Sequence, residues 1–158
     1  MTNLQRLAIA PTQIQAQQII LTADQQHYLS RVLRLRDGDL FIAMNGQGQW
    51  WLVELQGQSS EVRGHILESI AVETELPATI TLLVALPKGN GLDEVVRQAT
   101  ELGVTCIMPV ISDRTLLQPS PQKLERWRRI AQEAAEQSER QVVPTILEPI
   151  SFAESLKS

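Results

Sequence analysis

The spacing of apolar and polar positions changes along the chain, and the change divides it in two. Thr22 with Gln25 three residues on makes a capping box, and Leu29, Val32 and Leu33 then recur at helical spacing until Asp37-Gly38 stops the pattern. One helix is predicted there. Beyond it the period shortens to two. Residues 40–44, 49–55 and 61–70 read as strands joined by Asn45-Gly46-Gln47-Gly48 and Gln56-Gly57-Gln58, whose glycines supply the positive φ of tight turns. Short strands joined by glycine turns predict a small β-barrel.

Residues 71–78, with Glu73, Glu75 and Pro77, fit neither period and read as a linker, giving expected domains of 1–72 and 73–158. The second part follows a strand–helix–strand–helix–strand order. Residues 80–86 form a nearly continuous apolar run of the kind buried on both faces of a parallel sheet. Asn90 is placed to cap the next helix, Asp93 sits in its first turn, Leu92, Val95, Val96, Ala99 and Leu102 form its apolar face, and Gly103 closes it. Residues 104–110 are the second strand. Ser120-Pro121 opens a longer helix with Leu124, Trp127, Ile130, Ala131 and Ala134 as its buried stripe. Residues 141–147 read as a third strand, and Ser151 with Glu154 starts another helix. That last helix is too short to be stable alone, so either residues 151–158 fray or, the favoured reading, the α/β part is the front of a longer domain. The fold class is α/β, with a β-rich N-terminal domain.

Composition narrows the chemistry. At 158 residues and 43% apolar content the chain is an ordinary globular one, with no stretch near the ~20 apolar residues of a membrane span; a cytoplasmic protein is expected. The lone Cys106 lies among apolar residues, as a buried thiol does. His27 and His65 stand in different elements and form no ligand spacing, so no metal site is expected. The net charge of −4 disfavours a protein that coats nucleic acid, so any RNA site must be local. Two basic clusters qualify: Arg31, Arg34 and Arg36, and then Lys123, Arg126, Arg128 and Arg129. Trp50 and Trp51 point to opposite sides of their strand, so one is expected inside and the other either stacks on a base near the first cluster or packs at the edge against the linker.

In open parallel sheets ligands gather at the carboxyl ends of strands. The loops there read Pro87-Lys88-Gly89-Asn90-Gly91 and Ile111-Ser112-Asp113-Arg114-Thr115, each with one cation just past a strand end. Lys88 and Arg114 suit an anionic partner, a phosphate or a base that loses a proton. The alternative is a plain strand-to-helix turn, with Arg114 paired to Asp113 or to a helix carboxylate. Neither a P-loop nor a dinucleotide fingerprint is present.

The run His27-Tyr-Leu-Ser-Arg-Val32-Leu33-Arg34 followed by Gly38-Asp39, then Lys88-Gly89, Thr100-Glu101-Leu102-Gly103-Val104, Ile107, Pro109, Arg114, Arg126-Trp127, Ile130-Ala131, Ala134, Glu136-Gln137-Ser138, Arg140 and Pro144, resembles the RsmE family of 16S rRNA uridine methyltransferases. The resemblance implies a PUA-like RNA-binding β-barrel over 1–72 and the N-terminal part of a SPOUT-type α/β knot domain over 73–158. It also implies methyl transfer from S-adenosylmethionine to N3 of a uridine in 16S rRNA of the small ribosomal subunit, usually by a homodimer. Arg114 is then the candidate catalytic residue, and Arg31, Arg34, Arg36 and Lys88 the RNA-binding ones. The glycine-rich loop and later segment that form the family's knotted cofactor pocket have no counterpart before Ser158, so that pocket is expected beyond it. Gln98 stands where the family often has lysine. The competing expectation is a non-catalytic RNA-binding or ribosome-assembly module.

Overall fold

The computed structural model describes residues 4–57, 62–115 and 118–157. The chain forms two compact units, Met1–Glu73 and Thr74–Ser158.

In the N-terminal unit, β1 (Arg6–Ala8), β2 (Ile14–Gln15) and β3 (Gln18–Ile20) precede α1 (Ala23–His27), and β4 (Leu40–Met44), β5 (Trp50–Gln56) and β6 (Arg63–Ile70) follow it. They make one curled sheet, a half-barrel, in the order β1-β4-β5-β6-β3-β2. The β4–β5–β6 meander follows the period-two pattern; Glu61, the expected start of its last strand, lies outside the described residues. The three strands before α1 were not expected, being too short to carry a period. A register shift between Leu52 and Val53 bends β5. Inside the curl lie Leu7, Ile9, Ile19, Leu21, Leu29, Phe41, Ala43, Val53, Leu55 and Val62. Gly64 faces this core so closely that a Cβ there would stand 2.7 Å from Val53 Cγ1.

Thr22 and Gln25 form the expected capping box. The helix itself differs from expectation. After His27 it widens into a π-helical turn, Tyr28–Val32, with Leu33 N donating to Tyr28 O, and it ends at Arg34, whose φ is +58°. Val32 is 59% exposed, while Leu33 and Leu35 both pack against the core with Leu29. Residues two apart cannot share one face of a regular α-helix, and the wide turn plus the left-handed residue bring both inward. Neither tryptophan is an exposed stacking platform: Trp50 is 4% exposed beneath the Arg6 guanidinium, and Trp51 is partly buried against the core.

The C-terminal unit holds β7 (Thr81–Ala85), α2 (Gly91–Glu101), β8 (Cys106–Ile111), α3 (Pro121–Gln137), β9 (Thr145–Ile146), β10 (Ile150–Ser151) and α4 (Phe152–Ser155). All its strand pairs are parallel, with β7 on one side of β8 and β9 and β10 on the other. Leu82, Val84 and Leu86 pack against Leu92, Val96, Ala99, Leu124, Trp127 and Ala131 of the helices. The opposite side of β7 is open, Leu83 being 47% exposed, so this strand is not buried on both faces as its composition suggested. It alternates because both long helices pack on one side.

Three further expectations need correction. Asn90 occupies the cap position of α2 but adopts φ −104° and ψ 16°, and its side chain caps nothing. Leu102 is 77% exposed; Thr100 turns inward instead, its hydroxyl donating to Val96 O at 2.7 Å. The expected third strand shrinks to β9 and resumes as β10, because Pro144 lacks an N–H and residues 140–142 are engaged elsewhere. Their partners are Thr74 and Glu75, from the supposed linker. The nearly buried Arg140 forms an ion pair with Glu75, while Nη1 donates to Thr100 O at 3.2 Å and Val104 O at 2.6 Å. At α3, Ser120 Oγ accepts from Lys123 N and Pro121 takes the first position, as expected.

Candidate functional site

The loops after β7 and β8 meet the N-terminus of α3 around a cavity of about 510 Å³. Leu86, Pro87, Leu92, Pro119 and Trp127 give it an apolar lining, Lys88, Arg114 and Lys123 supply three cations, and among the described residues no carboxylate lines it. Trp127 is 3% exposed, a core residue that also serves as wall.

Local chemistry fixes each loop. In the second, Thr115 Oγ1 accepts from Ser112 N at 3.0 Å while Thr115 N donates back to Ser112 O at 2.9 Å, a closed turn that presents Arg114. Arg114 forms no ion pair with Asp113 or with any other described residue. In the first, Gly89 takes φ +66°, a conformation that a side chain would strain. Lys123 Nζ donates to Gly89 O at 3.0 Å, tying α3 to that loop. Lys88 pairs with no described residue.

The structure thus brings Lys88 and Arg114 to one cavity. It also divides the first basic cluster. Arg31 and Arg36 line a groove of about 800 Å³ with His27, Ser30 and Gln26, and Arg34 does not line it. Asp37 and Asp39 serve the turn: Asp37 Oδ1 accepts from Gly57 N at 2.8 Å, and Asp39 Oδ2 from Arg36 N at 2.7 Å. The second cluster is largely used within the fold. Arg126 pairs with Asp93 at 2.8 Å, Arg128 donates to Ile146 O at 3.0 Å, and Lys123 braces Gly89. Glu125 and Arg129, four residues apart, form no ion pair.

Sequence reasoning missed the contribution of α3 and the residues leading into it to the cavity: Gln118, Ser120, Lys123 and Trp127 return to the β7 loop after some thirty intervening residues. The one available signal was that Lys123 and Trp127, four apart, share a helix face. Cys106 is half-buried, and burial pushes its thiol above the usual range, which disfavours the thiolate. Glu75 was missed as well. Burial alone would raise its carboxyl, but the hydrogen bond from Arg140, the Val142 N–H, the Arg140 charge and the Gln141 N–H together hold it below the usual carboxylate value.

Comparison with known proteins adds what geometry cannot. A family model described as an RNA methyltransferase domain matches residues 74–158, and one described as an RNA methyltransferase PUA domain matches residues 21–64. The chain is 47% identical over 149 residues to the ribosomal RNA small subunit methyltransferase E of Synechocystis sp., covering 94% of this chain and 49% of that protein. It is 32% identical to the protein of the same name from Bacillus subtilis, covering 87% of this chain and 56% of that one. A crystal structure of the Neisseria gonorrhoeae protein of that name, bound to S-adenosylmethionine, superposes with a TM-score of 0.87 at 28% identity, covering 98% of this chain and 66% of that one. The chain spans about half the length of the curated relatives it matches. With an RNA methyltransferase match across the whole α/β unit and a PUA match within the half-barrel, this chain belongs to the ribosomal RNA small subunit methyltransferase E family.

Proposed function

We propose that the chain is the RNA-binding and uridine-positioning part of an enzyme that methylates N3 of a uridine in 16S rRNA, with S-adenosylmethionine as methyl donor. The observation that carries this is the convergence of Lys88 and Arg114 on one carboxylate-free cavity beyond the ends of β7 and β8. N3 of uridine is an imide nitrogen and becomes a nucleophile only on losing its proton. Two cations fixed beside it favour the anion, and the apolar Trp127, Leu86 and Leu92 lining keeps their field strong by limiting solvent. Arg114, unpaired within the fold, is the residue assigned to face the developing negative charge. Lys88 is assigned to the RNA backbone beside it.

The methyl donor supplies an electrophilic methyl group on a sulfonium. The cavity does not fit that group: Lys88, Arg114 and Lys123 would repel the positive sulfur, and no carboxylate offsets them. The donor site is therefore not assigned to these residues. In the N-terminal unit, Arg31 and Arg36 are assigned to RNA phosphates along their groove, with Arg34 beside it. This reading includes a homodimer and a cytoplasmic location, both supported by the family resemblance alone; among the described residues no helix is long and apolar enough to cross a membrane.

The test is mass spectrometry of small-subunit rRNA from cells in which the gene encoding this chain is disrupted. Loss of an N3-methyluridine, restored by the gene, is expected. Full retention of the mark would overturn the enzyme reading, and if the chain still bound rRNA it would favour the non-catalytic module.

A further inference from the structure

Two bridges join the start of α3 to the segment that carries Lys88. Arg126 Nε lies 2.8 Å from Asp93 Oδ2, in the first turn of α2, and one turn earlier Lys123 Nζ reaches Gly89 O at 3.0 Å. The segment itself turns tightly. A Cβ on Gly91 would stand 3.1 Å from Pro87 Cγ, so the loop closes on its own base, and Gly89 holds a left-handed conformation in between. Two glycines in five residues would otherwise leave Lys88 many orientations.

We propose that Arg126, acting through Asp93, is a positioning residue that fixes the Lys88 loop for RNA, and that it does not contact RNA itself. This rests on the assignment of Lys88 to RNA in the cavity. The Asp93 carboxylate is only 14% exposed and already suits the positive end of α2; the guanidinium, 58% exposed, closes over it from α3. Arg126 does not line the cavity, whereas Lys88 and Lys123 do. An ion pair with one partner this exposed contributes little to global stability, so its main effect is local, on where the loop sits. Lys123 is the second brace of the same loop.

The experiment measures binding of the full chain to a short uridine-containing RNA across a salt series, with thermal melting alongside. Arg126→Met is expected to weaken binding about 5-fold, with the slope of log affinity against log salt unchanged, because no phosphate contact is lost. Arg126→Lys should recover part of the affinity. Lys88→Ala should lower the slope by about 0.7, the loss of one phosphate contact on a single strand. Lys88→Ala combined with Arg126→Met should bind no worse than Lys88→Ala alone, since a displaced loop has no lysine left to misplace. A slope reduced by Arg126→Met itself would make Arg126 an RNA contact and overturn the proposal. Parent-like binding by Arg126→Met, with Lys88→Ala impaired, would overturn it too. If Lys88→Ala binds like the parent, the assignment of the cavity to RNA falls, and this inference with it.

Discussion

At the scale of single residues, two arginines illustrate opposite uses of one side chain. Arg140 is almost wholly buried and spends its guanidinium inside the fold, on Thr100 O, Val104 O and Glu75, so it joins the start of the unit to the end of α2. Removing it takes a charged donor from two carbonyls and leaves the half-buried Glu75 carboxylate with backbone N–H partners alone, and Arg140→Met is expected to cost about 3 kcal/mol of stability, measured by urea unfolding. The same pair gives the unit an acid limit. The Glu75 carboxyl is held below its unfolded value of 4.5, so its contribution is fully present above that pH and is lost as pH falls through the lowered folded value. Unfolding from pH 7 to pH 3 should show this loss, and Glu75→Gln should shrink it. Arg114 keeps its charge unpaired at a strand end. On the proposed function, Arg114→Ala is expected to slow methyl transfer about 100-fold while the melting temperature stays near the parent's, because the exposed side chain is assigned to a developing charge and pairs with no described residue.

Elements show where local signals suffice. Helix α3 begins where Ser120-Pro121 says it must, since a cap oxygen and a proline at the first position satisfy or remove N–H groups that have no partner in the helix. Ser120→Ala should cost about 1 kcal/mol, seen as a lower urea midpoint at constant slope. The Thr22 and Ser151 capping boxes and the β4–β5–β6 meander were legible for the same reason: each is written within a few residues. What was not legible depends on residues far along the chain. Strands of two or three residues, such as β2, β9 and β10, have no period and exist only because β3 or β8 runs beside them. The π turn after His27 and the inward Thr100 answer to packing, and the amphipathic pattern put Val32 and Leu102 in the wrong place. In the candidate site, Lys88 and Arg114 were readable because strand ends are; the wall formed by α3 was not, because Trp127 reads simply as core.

For the whole molecule, net charge and local charge point in opposite directions. A net charge of −4 disfavours general affinity for RNA, so the proposed binding rests on few contacts and should respond to salt accordingly. Because the groove holds Arg31 and Arg36 while Arg34 stands outside it, Arg31→Ala with Arg36→Ala should flatten the salt dependence by about 1.4 units of slope, and Arg34→Ala by less. The half-barrel also has a temporal consequence. β1 lies parallel to β4, with Arg6 opposite Ile42, and β3 pairs with β6, with Gln18 opposite His65. In chain order, β1 and the β2–β3 pair therefore have no sheet to join until the meander has been made, and such distant pairings form slowly. The meander, closed by short turns, should come together first, with β1 to β3 docking late onto its two edges. Leu7→Ala in β1 is then expected to speed unfolding in stopped-flow measurements and leave the refolding rate nearly unchanged, as for contacts made after the transition state. Until that docking, Leu7, Ile9 and Ile19 are exposed on the nascent chain, and the edges of β4 and β6 stay open to pairing with another molecule, the interval in which this protein is most prone to aggregate.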